Sequence, residues 1–178
     1  MSEEVFSGPA VSLFEMLEAR EMRAKRQEDL LKEYPDATLL LATMNIPGPV
    51  KNSEVLSQVF SQMITCIKQK LSFCPIITSA EYNYKTGTEF YLVVDILPAI
   101  LKKNMVDLEE NYAYGRLFDL DVHYYSEGLQ SLSRQDIGFL PRRCLICQKN
   151  AKECGRQRRH SIEDMQVKVT EIIDKKEG

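Results

Sequence analysis

The chain has 178 residues, 44% of them apolar and 28% charged, and 23 basic side chains stand against 26 acidic ones for a net charge of −3. Proportions this close to the globular average exclude a disordered chain and a fibre. The longest apolar runs, Phe90 to Leu101 and Thr38 to Ile46, are broken by Asp95, Pro98 and Asn45, short of the about 20 residues that a membrane span needs.

No basic n-region and apolar h-region follow Met1-Ser2-Glu3-Glu4, so no secretory signal is read and the cytoplasm is the expected compartment. A helix is predicted from Val11 to about Tyr34. Ser12 and Glu15 form a capping box, Val11 and Met16 a hydrophobic staple, and Pro35 stops the run. Its middle, Arg20 to Asp29, mixes charges of both signs, which predicts one wet face. Thr38 to Ile46 reads as a buried strand ended by Pro47-Gly48-Pro49. Asn52 or Ser53 can cap the next helix, where Val55, Leu56, Val59, Phe60, Met63, Ile64, Ile67 and Leu71 repeat at helical spacing. Ile76 to Tyr84 and Glu89 to Asp95 flank Lys85-Thr86-Gly87-Thr88 as a hairpin. Pro98 opens a helix that runs to Asn111. Leu117 to Tyr125 is a strand, Glu127-Gly128 turns it into a short one over Leu129 to Ser133, and a closing helix spans about Ser161 to Asp174.

The central order is β-α-β-β-α-β. It predicts an α+β fold with an antiparallel sheet, either ferredoxin-like or a nucleotidyltransferase palm. The organisation expected is a single domain over residues 1–178: an N-terminal helix (11–34), an α+β core (38–133), and a basic Cys/His segment with the closing helix (134–178).

Charge is uneven along the chain. Arg134, Arg142, Arg143, Lys149, Lys152, Arg156, Arg158 and Arg159 are opposed only by Asp136 and Glu153, leaving that stretch at +6 and the remainder at −9. Arginine forks onto phosphate oxygens as lysine cannot. A basic stretch in an acidic protein points to a local anion site, or to a solvated charged tail. The five cysteines are an odd number in a reducing compartment, against a disulfide framework. Cys66 and Cys74 read as small buried hydrophobes.

Three groups of residues can carry chemistry. On the strand after Gly115-Arg116, alternation sends Asp119 and Asp121 to one face and Phe118, Leu120 and Val122 to the other. Two adjacent carboxylates repel unless a cation or proton joins them, and Mg²⁺ suits one or two carboxylates plus substrate phosphates. A polar strand face meeting water is the alternative. His123 shares the register and reads as a solvated strand histidine that can also aid proton transfer. Second, Gly48, Lys51 and Ser53 lie where a strand feeds a helix N-terminus, a place for a phosphate or simply a stiff capped turn. Third, Cys144, Cys147, Cys154 and His160 form a permitted zinc set around a CxxC knuckle, or a packed thiol cluster.

These residues carry a family resemblance. Gly115-Arg116-Leu117-Phe118-Asp119-Leu120-Asp121-Val122, Leu132-Ser133-Arg134, Pro141-Arg142-Arg143-Cys144-Leu145-Ile146-Cys147, Ala151, Cys154 and His160 resemble the pattern of holo-citrate-lyase synthase, also called apo-citrate lyase phosphoribosyl-dephospho-CoA transferase. Upstream, Pro47-Gly48-Pro49-Val50-Lys51-Asn52-Ser53-Glu54 is similar to the family's proline-glycine-proline loop. The family often has His-Pro ahead of Gly-Arg, where this chain has Tyr112-Ala113.

The resemblance implies a nucleotidyl-type transferase. Its donor is triphosphoribosyl-dephospho-CoA, its acceptor a serine of the acyl-carrier subunit of citrate lyase, and pyrophosphate leaves. It implies Asp119 and Asp121 as Mg²⁺ ligands with Arg116 beside them in catalysis. Gly48, Lys51 and Ser53 would take the β- and γ-phosphates, and Arg134, Arg142 and Arg143 the remaining ones. Zn²⁺ on the Cys/His cluster would be structural. Neither nucleic acid nor membrane is an expected partner. The rival class is a small zinc-dependent nucleic-acid-binding module or a carrier-protein adaptor.

Overall fold

The computed structural model describes residues 2–177. Helix α1 (Ser2–Val5) is followed by α2 (Leu13–Glu33), strand β1 (Thr38–Met44), α3 (Glu54–Lys70), the hairpin β2 (Ile76–Tyr84) and β3 (Gly87–Val94), then α4 (Pro98–Asn111). A 3₁₀ turn over Gly115–Leu117 leads into β4 (Phe118–Tyr125) and β5 (Leu129–Leu132). Helices α5 (Ala151–Arg156) and α6 (Ile162–Glu177) close the chain.

One antiparallel sheet runs in the order β2-β3-β1-β4-β5. Its first four strands have the ferredoxin-like arrangement, and β5 extends the β4 edge. Alternation divides each central strand between two apolar layers. Leu40 and Ala42 of β1, Phe90 and Leu92 of β3, and Phe118, Leu120 and Val122 of β4 pack with α3 and α4 in the main core, which Val169 and Ile173 of α6 complete. Leu39, Leu41, Tyr91 and Val93 point to the opposite face, where Leu31 of α2 covers them.

The N-terminal helix is thus a third layer rather than an appendix. Its capping box forms as the sequence predicts: the Ser12 hydroxyl accepts from the Glu15 N–H, and the Glu15 carboxylate accepts from the Ser12 N–H. Pro98 sits in the first turn of α4. The short helices α1 and α5 escape a periodicity argument because so few residues give no repeat. Helix α5 is instead set by Asn150, whose side chain accepts from the Lys152 and Glu153 N–H groups. Cys66 and Cys74 are only partly buried against the main core, and Cys74 lies in the turn ahead of β2, not in a strand. Among the described residues, no helix is long and apolar enough to cross a membrane.

Candidate active site

Strand β4 is aimed by the turn before it. A Cβ on Gly115 would lie 2.0 Å from the Leu108 carbonyl oxygen at the end of α4, so only glycine permits that approach. The strand then alternates: Phe118, Leu120 and Val122 are sealed in the main core, while Asp119, Asp121 and His123 take the α2 face. There Thr43 pairs across from Asp119, and Leu41 from Asp121.

The two carboxyls share a surface but have different partners. Arg142 donates from Nη1 to Asp119 Oδ1 at 2.6 Å and from Nη2 to the Arg116 carbonyl at 2.7 Å. Asp121 has no hydrogen bond or ion pair among the described residues. Desolvation raises the pKa of both groups. The Arg142 charge opposes the rise for Asp119 and the Lys102 charge opposes it for Asp121. Two neighbouring carboxyls, each pushed toward its proton and one without a partner among the described residues, could hold a cation, and hard oxygen donors of this kind suit Mg²⁺.

Helix α4 supports this strand from its edge. Lys102 and Glu109 are two turns apart on one helix face, and both are buried. Lys102 Nζ donates to the Leu120 carbonyl at 3.0 Å, and the Leu120 N–H donates to Glu109 Oε1 at 2.9 Å. These groups satisfy the β4 backbone just where pairing with β5 has ended. Arg134 bridges Glu109 and Glu110 at 2.5 and 3.0 Å. The sequence reading did not single out Lys102 or Glu109. Their signal was a lysine and a glutamate seven residues apart beside the apolar stripe of Leu101, Met105 and Leu108. His123 is buried rather than solvated, and its Nδ1 lies 2.8 Å from Ser131 Oγ.

Two clefts meet at Asp119. The larger, about 430 Å³, is lined by Asp119, Asp121, Lys102, His123, Arg134 and Arg142. The smaller, about 180 Å³, lies between α2 and the β2–β3 hairpin and contains Lys51 and Asp119. Lys51 Nζ donates to the Ile46 carbonyl at 2.6 Å, and burial, then the Arg20 charge, pushes its pKa down. The rest of the Lys51 loop is engaged elsewhere. The Ser53 hydroxyl accepts from the Leu56 N–H and donates to the Val5 carbonyl. Gly48, at φ +87°, packs under Gln166 and Ile162 of α6 and lines a third cavity of about 840 Å³ with Arg116, Arg143 and Arg158. The structure therefore gathers Asp119, Asp121, Lys51, Arg134 and Arg142 around the two clefts, and sets Gly48 and Ser53 apart from them. Arg116 reaches the site through its backbone. Its guanidinium donates to the Arg143 carbonyl at 2.5 Å, and its buried Nε has no partner.

The Cys/His segment adjoins this arginine network. One ligand atom each from Cys144, Cys147, Cys154 and His160 lies within 4.8 Å of the others, and the Cys147 and Cys154 sulfurs are 3.4 Å apart. Edges of a tetrahedral zinc site are about 3.5–4 Å, so small adjustments close the set. The turn is that of a metal knuckle. The Ile146 N–H donates to the Cys144 sulfur, and Gln148 takes φ +61° to bring the chain back onto Lys149 and Asn150. The Lys149 N–H and then His160 hold the Cys147 thiol down to about 6, whereas burial first, then the neighbouring thiols, push Cys154 up to about 11. The buried His160 Nε2 has no hydrogen-bond partner. Three thiols, one imidazole and an orphaned ring nitrogen can hold a metal ion.

Residues 11–176 match the family model described as apo-citrate lyase phosphoribosyl-dephospho-CoA transferase. The chain belongs to this family. A probable apo-citrate lyase phosphoribosyl-dephospho-CoA transferase of Streptococcus pyogenes serotype M18 is 46% identical over 169 residues, covering 94% of this chain and 88% of the relative. The Escherichia coli O7:K1 transferase of the same name is 34% identical over 173 residues, 96% and 93% of the two chains. Protein CitXG of Leuconostoc mesenteroides is 33% identical over 167 residues, and the match spans only 36% of that longer protein. In this transferase-family chain, the Asp119–Asp121 strand and the Cys/His segment both lie inside the matched region.

Proposed function

We propose that this protein transfers the phosphoribosyl-dephospho-CoA group from triphosphoribosyl-dephospho-CoA to a serine of the acyl-carrier subunit of apo-citrate lyase. The observation that carries the reading is the Asp119–Asp121 pair in a cation-lined cleft that meets a second one at Asp119, in a chain of this family. The serine oxygen forms a bond to the donor's α-phosphorus, the bond from that phosphorus to the pyrophosphate breaks, and the serine's proton departs with the pyrophosphate. No covalent enzyme intermediate is needed; positioning and electrostatics suffice for such transfers.

Asp119 and Asp121 would hold Mg²⁺, which when bound stabilises charge developing on the α-phosphate oxygens. Arg142 fixes the Asp119 carboxylate through Oδ1 and ties it to the Arg116 backbone, at the lining of the larger cleft. Lys102 lends positive charge beside Asp121. Arg134 is committed to Glu109 and Glu110, which makes it a support of the β4 edge that also lines the larger cleft. Arg143 and Arg158 offer charge to the donor's other phosphates from the third cavity.

The Cys144, Cys147, Cys154 and His160 set takes Zn²⁺ as a structural ion. It would fasten the segment that begins at Arg142, two residues before the first thiol. On this reading the N-terminal helix, the core and the basic segment work as one unit in the cytoplasm, without nucleic acid or membrane. The family assignment favours this transferase over the zinc-dependent nucleic-acid-binding or adaptor alternative. The test is mass spectrometry of apo carrier subunit incubated with the protein, Mg²⁺ and donor. The expected result is a mass gain of one phosphoribosyl-dephospho-CoA group with release of pyrophosphate, and an unmodified carrier overturns the reading.

A further inference from the structure

Helix α2 contributes more than packing. Arg20, Arg23 and Arg26 recur every third residue, which sets them along one side of the helix over the sheet. The last two share buried Glu89: Arg23 Nε and Arg26 Nη1 each lie 3.4 Å from its carboxylate. Arg26 also stacks on the Tyr82 ring, with its guanidinium carbon 4.0 Å from the centroid. Arg20 has no hydrogen bond or ion pair among the described residues, and neither do the terminal nitrogens of Arg23.

The smaller cleft is where these free donors meet. Arg20, Arg23 and Lys51 line it together with Thr86 and Thr88 of the hairpin, and Asp119 is common to this cleft and the larger one. Its two anions are already engaged, Glu89 with two arginines and Asp119 with Arg142. That leaves a surplus of cationic donors in about 180 Å³, room for a compact polyanion but not for a nucleoside or a pantetheine arm. Arginine forks and a lysine point charge are the donors that recognise phosphate. Burial and the Arg20 charge destabilise the Lys51 ammonium, strain that a bound anion relieves.

We propose that this cleft, walled by Arg20, Arg23 and Lys51, binds the terminal diphosphate of the donor and holds it as leaving pyrophosphate. The inference rests on the transferase reading and deepens it by naming the residues that distinguish a triphosphate donor from dephospho-CoA. It also orients the reaction. With the α-phosphorus at Asp119 and Asp121 and the leaving group in the smaller cleft, in-line displacement brings the acceptor serine in through the larger one.

Calorimetric titration of the full chain with inorganic pyrophosphate and Mg²⁺ tests this without requiring turnover. Wild type should bind, and Arg20→Ala and Lys51→Met should each weaken binding at least about tenfold, while dephospho-CoA binding is unchanged. Arg20→Lys should recover part of the loss. Arg20 is exposed and unpaired, so its replacement leaves the fold intact. Equal pyrophosphate affinity in wild type and both variants, or no binding by a wild type that is active on the carrier, overturns the proposal. A wild type that binds pyrophosphate through Arg20 and Lys51 but never modifies the carrier upholds the cleft and overturns the transferase reading instead.

Discussion

Strand β4 and the segment from Arg142 to His160 both present candidate site residues, and they are held by opposite means. In β4, apolar burial does the positioning: Phe118, Leu120 and Val122 are at most 1% exposed, and that fixes the face on which Asp119 and Asp121 emerge. A one-residue slip would put both carboxyls in the core, so register and site are specified together. Between Arg142 and His160, by contrast, the buried side chains are two thiols, Cys144 and Cys154. That segment hangs on one cap, one knuckle turn and the bonds of Arg142 and Arg116. The sheet site should therefore survive loss of its chemical groups, while the Cys/His segment should not.

The largest effect expected is on the sheet side. Asp119→Asn and Asp121→Asn should each reduce transfer by about 10³-fold or more, the scale on which Lewis-acid and electrostatic contacts act. For Asp121→Asn, which breaks no bond among the described residues, stability should stay level or rise. Burial raises the pKa of Asp121 above the ordinary carboxylate value, so ionising it costs more in the native chain than in the unfolded one. The advantage of Asp121→Asn should accordingly grow as pH increases through and above about 4. Denaturant titrations across that range check it, and a variant that unfolds more easily at neutral pH would mean that the carboxylate is a structural group.

The complementary prediction concerns metal removal. Chelation, or Cys147→Ser, should release the Arg142–Asp119 bond and reduce transfer by about 10²-fold, because structural zinc supplies roughly 10–16 kcal/mol of ordering energy in small sites. Limited trypsin digestion should then cut at Arg156, Arg158 and Arg159 while the sheet remains resistant. Atomic absorption should find one zinc per chain in the wild type and none in the variant. A chelated protein that resists trypsin and keeps its rate would assign the thiols to packing alone.

The same contrast explains what could be read from the sequence. The helix and strand sequence of the core, the hairpin, the capping box and the Asp face all follow from periodicity, because in those elements burial decides geometry. Lys51 and Ser53 show the limit. Both sit at a strand-to-helix junction, but Ser53 spends its hydroxyl on the α3 cap and Val5, while Lys51 turns toward the smaller cleft. Spacing cannot distinguish those outcomes. In the sequence Arg20 and Arg23 belong only to a stretch of mixed charge. The role proposed for them depends on α2 crossing the sheet beside Asp119, a tertiary fact with no local mark. Glu109 and Lys102 are hidden in the same way, since nothing in α4 reveals that β5 ends too early to satisfy Leu120.

His123 gives the smallest effect and the finest test of how dry the sheet face is. Burial, then the Lys102 charge, pushes its pKa from 6.5 down to about 4, so the native ring stays neutral where an unfolded one would be protonated. Native stability is therefore whole above about pH 6.5 and is lost as pH falls toward 4, by up to ~3 kcal/mol from this ring. His123→Gln removes the titration. It should also cost stability at pH 7, about 1 kcal/mol if only the Ser131 hydrogen bond is lost. Comparing wild type with variant by urea unfolding cancels the carboxyl groups that titrate in both. The gap between them should close at about pH 6 and reverse below it. Parallel curves would show that His123 gains its proton in the native chain at its ordinary value, and that water reaches the ring from the larger cleft. In that case the cover that β5 gives to His123 is looser than the His123–Ser131 pairing implies.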